Sequence, residues 1–137
     1  MPEYKKYDYS THHEVAWGDL DAFGHVNNVA YLRYFETARA KFFTDKEIWN
    51  KDSFVSPKEG MVLTRLETLY RKQVFYPENL EITLKLDSVN SRGFSMLCSM
   101  WNQKNECVIY CTADFVWVDF VKGKPCRIPD SLRQLIK

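Results

Sequence analysis

The chain of 137 residues has no apolar run approaching the roughly 18 to 20 residues that a membrane-spanning helix needs. Its opening, Met1-Pro2-Glu3-Tyr4-Lys5-Lys6, puts no apolar core behind the lysines and does not read as a secretory signal. Charge of one sign is also missing: nineteen Lys and Arg stand against eighteen Asp and Glu, for a formal charge of +1. That balance carries no nucleic-acid footprint and no general pull towards acidic membranes. Cysteine is scarce, and without a signal Cys98, Cys107, Cys111 and Cys126 are expected as reduced thiols rather than a disulfide framework. Cys107 and Cys111 fall in a strand-like run, where four residues span about 13 Å. Two thiolates on one zinc ion lie far closer, so both are read as small buried apolar residues and no metal is expected. There is no internal repeat, low-complexity segment or Ser/Gly linker. What remains is one domain over residues 1–137, expected in the cytoplasm, with 45% hydrophobic residues to build a core.

A first strand is expected over residues 7–17, running into Gly18-Asp19-Leu20-Asp21-Ala22-Phe23-Gly24, with turn chemistry at both glycines. A helix follows over residues 29–45, where Val29, Leu32, Phe35, Ala38 and Phe42 recur at three- and four-residue steps. Tyr31, Tyr34 and Phe43 widen that face until the helix wants cover on most sides. Asn27 or Asn28 is placed to cap it, and residues 46–51 carry a weak signal for a second short helix. Beyond Pro57 and Gly60 the pattern turns to strands. The first covers residues 61–75 and ends at Tyr76-Pro77-Glu78-Asn79. In the next, Leu80, Ile82, Leu84 and Leu86 alternate with Glu81, Thr83, Lys85 and Asp87, giving one buried and one wet face. Ser91-Arg92-Gly93 turns into residues 94–101, where Phe94, Met96, Cys98 and Met100 share a face. Asn102-Gln103-Lys104-Asn105 turns again into a long strand over residues 107–121, apolar on both faces, and Ile128-Pro129-Asp130-Ser131 opens a short terminal helix. One unusually apolar helix followed by strands joined by hairpin-like turns makes an α+β domain with a sheet wrapped around the helix.

The stretch Trp17-Gly18-Asp19-Leu20-Asp21-Ala22-Phe23-Gly24-His25-Val26-Asn27-Asn28, continuing Val29-Ala30-Tyr31-Leu32-Arg33-Tyr34-Phe35-Glu36-Thr37-Ala38-Arg39, resembles the signature of the 4-hydroxybenzoyl-CoA thioesterase family of hot-dog-fold enzymes. The His-Val-Asn-Asn step is similar to the broader fatty-acyl and Tol-Pal-associated branch. Leu69-Tyr70-Arg71-Lys72, Tyr76-Pro77-Glu78-Asn79, Phe115-Val116-Trp117-Val118-Asp119 and residues 125–132 agree more loosely. The resemblance implies a five-stranded antiparallel sheet around one long central helix. It also implies homodimers, often paired into homotetramers, whose two sites span the subunit interface. The activity it implies is hydrolysis of an acyl-CoA in fatty-acid metabolism, with coenzyme A entering as part of the substrate and no separate cofactor. Aromatic-substrate members carry bulky rings where this chain has Asn27-Asn28, so an aliphatic acyl group is expected. Asp21 falls at the catalytic Asp, and Asn28 where a main-chain N–H polarises the thioester carbonyl. Tyr31 falls near the pocket, and Arg92, with Arg71 and Lys72, falls among candidates for the nucleotide phosphates.

Those residue types suit the chemistry. Thioester hydrolysis needs a nucleophile or a base for water, and a carboxylate serves as either. The residues leave Asp21 open between the two roles. The first N–H groups of a helix lack internal partners and carry the positive end of its dipole, so a carbonyl oxygen seated there is stabilised as charge develops. Gly24 keeps the backbone near that oxygen clear. His25 is expected to make backbone hydrogen bonds at the start of the helix and to line the pocket or position water. Asn27 reads as a cap at the pocket edge, Asp19 as structural, and Glu36 and Arg39 as a helix pair. Two other readings keep the same fold: a non-catalytic acyl-CoA-binding protein, which needs no carboxylate in register, and a thioesterase acting on acyl carrier protein.

Overall fold

The computed structural model of the chain describes residues 4–50 and 57–136. Helix α1 is Ala30–Asp45, sixteen residues with no glycine or proline inside, about 24 Å long. It buries Ala30, Tyr31, Tyr34, Phe35, Ala38, Phe42 and Phe43, much the face expected from spacing. Val29 departs from that expectation: it precedes the first helical turn and is 58% exposed. The expected second helix is absent over residues 46–50, which form turn and bend, and Lys51 lies outside the described residues. Glu47 takes a left-handed φ of 61°. The Glu47 N–H donates to the Thr44 carbonyl and the Ile48 N–H to the Phe43 carbonyl. This paired return closes a helix end, usually around glycine.

Five strands form an antiparallel sheet: β1 (Tyr9–Glu14), β2 (Glu59–Tyr70), β3 (Asn79–Val89), β4 (Gly93–Trp101) and β5 (Cys107–Asp119). Their order is β1-β3-β4-β5-β2, with a short β6 (Lys124–Pro125) on β5 and a four-residue helix α2 (Asp130–Arg133) closing the chain. This is the hot-dog fold, an α+β sheet with one long helix against it. The hairpins expected between β3, β4 and β5 are present. The hairpin expected between β2 and β3 is not, because β2 pairs with β5 at the far edge and the chain crosses the sheet end to reach β3. Strand β2 also stops at Tyr70 rather than residue 75. There the Arg71 and Lys72 N–H groups both turn to the Val108 carbonyl, and Val74 is buried beyond them.

The core lies between α1 and the sheet face carrying Leu80, Ile82, Leu84, Phe94, Met96, Cys98, Met100, Ile109, Cys111 and Phe115. Phe35, Phe43 and Phe115 fill its middle, and truncating such a ring to alanine costs about 3 to 5 kcal/mol. The helix runs nearest to β1 and β3, and β2, at the other edge, has β5 as its one strand neighbour among the described residues. Val62, Leu63, Leu69 and Tyr70 there are 40–47% exposed. Arg39, expected to pair with Glu36, instead lies across the Phe35 and Phe115 rings, 4.7 and 4.9 Å from their centroids.

On the opposite sheet face, Thr83 was expected to be wet and is fully buried. The segment before β1 covers it. The Tyr7 N–H donates to Thr83 Oγ1 at 3.0 Å, Thr83 and Ser99 share a hydroxyl contact of 2.6 Å, and Ser99 Oγ donates to the Lys5 carbonyl at 2.8 Å. Each buried hydroxyl therefore has a partner, as burial demands.

Candidate active site

The loop from β1 to α1 folds back on itself. Val15 donates its N–H to the Glu78 carbonyl, Trp17–Asp19 make one 3-10 turn, and Leu20 pairs with Val26. At the tip, the Asp21 N–H donates to the His25 carbonyl at 2.9 Å, and the Gly24 N–H to the Asp21 carbonyl at 3.1 Å. Gly24 has a φ of 86° there, a conformation other residues adopt at a cost, and a Cβ would meet nothing within 4 Å. Asp21 Oδ1 accepts the Phe23 N–H at 2.8 Å, the turn-forming role a short carboxylate takes in such loops. Its other oxygen, Oδ2, lies 3.6 Å from His25 Nδ1, and the two side chains are 26% and 23% exposed. That separation is too long for a hydrogen bond. Oδ2 accepts no hydrogen bond from the described residues.

Asn27 ends the loop. Its Oδ1 accepts the Val29 N–H at 2.9 Å and its carbonyl the Ala30 N–H at 2.9 Å, so Asn27 forms the turn that leads into α1, while the cap position expected of Asn27 or Asn28 is held by Val29, without a side-chain cap. With those two amides taken, the Asn28 N–H has no hydrogen-bond partner among the described residues. The Asn28 carbonyl is held from the other side by the Tyr70 hydroxyl, at 3.2 Å.

An open cleft of about 310 Å³ lies against this helix start, lined by His25, Val26, Asn28, Tyr31 and the run from Tyr70 to Gln73. Tyr31 is buried, its ring edge-on to Tyr70 at 5.9 Å. Burial above all pushes its hydroxyl up to about 12; Tyr70 and Asp21 add to this and the Val74 N–H opposes it. The phenol therefore stays protonated and is a donor at neutral pH. Asp21 is not a wall residue of the cleft; it stands behind His25, close enough for its charge to act on Tyr31. At the rim, the Arg71 guanidinium stacks 4.1 Å over the Tyr4 ring, and Lys72 pairs with Glu106 at 2.5 Å.

The structure thus gathers Asp21, His25, Asn28, Tyr31 and Arg71, while Gly24 and Asn27 shape the loop without lining the cleft. It does not bring Arg92 to them within one chain. Arg92 lies in the β3–β4 turn, at the sheet end where Gly93 pairs with Val116, and Tyr70 at the end where it pairs with Ile109. The seven residue steps along β5 between those partners span about 23 Å. Tyr70 is the site residue the sequence reading passed over. Its signals were an aromatic inside an expected strand and a place in the loosely matching run Leu69-Tyr70-Arg71-Lys72, neither of which distinguishes a wall residue from an edge. Among the described residues no three His, Cys, Asp or Glu side chains gather as metal ligands would, and no helix is long and apolar enough to cross a membrane.

The comparisons with known proteins bear on the family and the fold. The Bacillus subtilis (strain 168) protein YsmA is 26% identical over 123 residues, covering 89% of this chain and 80% of its own. The structure of the PA2801 protein of Pseudomonas aeruginosa is similar at a TM-score of 0.83 and 26% identity, over 91% of this chain and 95% of that one. The 1,4-dihydroxy-2-naphthoyl-CoA thioesterase Slr0204 of Synechocystis matches at a TM-score of 0.84 over 93% and 94% of the two chains. At 12% identity that likeness shows the fold alone. A model of the thioesterase-like superfamily matches residues 15–136. With the signature segment and nearly every described element inside that match, the chain belongs to the thioesterase-like superfamily and is a thioester hydrolase.

Proposed function

We propose that this protein hydrolyses an acyl-CoA with an aliphatic acyl group, using Asp21 as general base and the Asn28 N–H as donor to the thioester oxygen. The observation that carries the reading is the unpaired amide of Asn28 at the start of α1, a residue that lines the same cleft as His25, whose Nδ1 faces Asp21 Oδ2. Phe23 fixes one Asp21 oxygen and leaves the other to take a proton from water. As water attacks, the carbonyl oxygen gains charge beside the Asn28 amide, and loss of such a donor costs about 3 to 4 kcal/mol of barrier. Sulfur leaves as a thiolate, so no strong acid is required.

Two further parts complete the proposal. The bare β2 edge pairs antiparallel with β2 of a second copy, since long apolar edges invite strand addition. Antiparallel pairing reverses the strand, so the partner subunit's Arg92 approaches the Asp21 end and joins Arg71 as a phosphate contact. The free thiols, Cys98, Cys107 and Cys111 buried and Cys126 half-buried, fit work in the cytoplasm.

The test is thiol release across a panel of acyl-CoA and acyl-carrier-protein esters, comparing wild type with Asp21→Asn. Aliphatic esters are expected to turn over, and Asp21→Asn to lower kcat by about 10² to 10⁴. Ligand binding without turnover on any ester would identify a non-catalytic binder instead. Transfer of ¹⁸O from solvent into the Asp21 carboxyl during single turnover would make Asp21 the nucleophile. A monomer on a sizing column removes the shared site.

A further inference from the structure

The two working groups of the proposed site come from different arms of the β1–α1 loop, Asp21 from its tip and Asn28 from its exit. Asp19 is tied to both arms and to the helix. Its Oδ2 accepts from the Tyr34 hydroxyl at 2.6 Å and from the Ala16 N–H at 3.1 Å, and its Oδ1 faces Arg33 Nη2 at 3.4 Å. Its main-chain carbonyl accepts the Asn27 N–H at 2.9 Å. The side chain is 16% exposed. Burial pushes the carboxyl up, but the Tyr34 hydroxyl, the Ala16 N–H and Arg33 more than reverse this, so it sits below the usual carboxylate range. Tyr34 is itself fixed: it is buried in α1, and the His13 ring on β1 lies 4.2 Å from it.

This arrangement exceeds what a turn needs. The 3-10 turn is already closed by main-chain bonds, with the Asp19 N–H on the Ala16 carbonyl and the Leu20 N–H on the Trp17 carbonyl. The Asp19 side chain adds a link from loop to helix. Its main chain adds a link to the residue just before Asn28. We propose that Asp19 is a positioning residue for thioester hydrolysis, locking the Asp21 arm and the Asn28 amide into one rigid frame through Tyr34. The inference rests on the reading of Asp21 and Asn28 given above. The carboxylate touches neither substrate nor water in this role; it sets the distance between the groups that do. A misplacement of about 1 Å between such groups costs about 100-fold in rate.

The experiment measures kcat, KM and urea midpoint for wild type, Asp19→Ala, Asp19→Asn, Tyr34→Phe and the Asp19→Ala/Tyr34→Phe double variant. Amide hydrogen exchange at Asn27 is followed in each. Asp19→Ala is expected to lower kcat about 100-fold, leave KM within about threefold, and speed exchange at Asn27. Asp19→Asn keeps an acceptor oxygen for Tyr34 and should recover most of kcat. Tyr34→Phe should lose about tenfold, and the double variant should be no worse than Asp19→Ala, because both changes open one link. Three results overturn the inference: unchanged kcat and exchange in Asp19→Ala, additive losses in the double variant, or a rate loss that only follows the loss of urea midpoint. Failure of the underlying reading looks different. There, turnover survives Asp21→Asn, or wild type has none, while Asn27 exchange still reports whether Asp19 holds the frame.

Discussion

Tyr70 is where the bare edge strand meets the helix start, and removing its hydroxyl separates stability from positioning. In Tyr70→Phe the ring stays, with its edge contact to Tyr31, and only the bond to the Asn28 carbonyl at 3.2 Å is lost. Tyr70 is 47% exposed, so water replaces the hydroxyl at that carbonyl, and the net stability cost falls at the low end of about 0.5 to 1.5 kcal/mol. Water satisfies the oxygen but does not hold the peptide. If the bond, about 1 kcal/mol, holds the Asn28–Val29 peptide and through it the adjoining peptide that carries the Asn28 N–H, its loss appears in the barrier as about a fivefold fall in kcat. KM stays near wild type because the cleft wall is unchanged. The assay is steady-state thiol release on the best ester of the panel, with a urea titration of both proteins. A wild-type kcat, or a loss confined to KM, would refute the claim that Tyr70 orients the amide.

Two other outcomes follow from the fold. Tyr31 is held protonated, with its hydroxyl raised from 10 to about 12; its contribution to stability is therefore complete below pH 10 and is lost as pH rises towards 12, about 3 kcal/mol in all. Urea midpoints should fall between pH 10 and 11 in wild type more steeply than in Tyr31→Phe, and equal slopes would exclude Tyr31 as the cause. Glu47 closes α1 at a φ of 61°, so Glu47→Gly should raise stability by about 1 kcal/mol. That corresponds to about 3 °C in a thermal melt.

Local chemistry was legible where local forces decide. The spacing of Phe35, Ala38 and Phe42 marked α1, and the alternation from Leu80 to Leu86 marked β3, because periodic burial writes itself directly into sequence. The turn role of Asn27 before the helix was legible from its residue type. What escaped depends on contacts distant in the chain. Thr83 reads as a wet residue until the segment at Tyr7 lies across it, and β2 reads as the neighbour of β3 until its register with β5 is known. The end of α1 at Asp45 was legible, but the left-handed turn at Glu47, where a second helix is expected, escaped for another reason: a left-handed glutamate carries no glycine to announce it. Of the candidate site, the Asp21-to-Asn28 segment was readable as one unit since a single loop holds it. Arg92 was read as a candidate for the nucleotide phosphates of a site shared between subunits, and sheet geometry sets it about 23 Å along the strands from Tyr70 of its own chain.

That distance and the exposed edge bear on each other. Phe35, Phe43 and Phe115 are buried, yet α1 runs nearest to β1 and β3, and on β2 Leu63 and Tyr70 on the helix side and Leu69 on the other stay 40–47% exposed. The same edge carries Tyr70, which contacts the Asn28 carbonyl and lines the cleft. Strand addition at β2 would bury that apolar surface against a second copy, and by reversing strand direction it would bring a cationic sheet end to a cleft whose own chain supplies only Arg71 and the already paired Lys72. A single contact would therefore meet two needs that arise at the same strand. Substituting Leu63 and Leu69 by lysine would break both together, whereas unrelated needs would be lost separately.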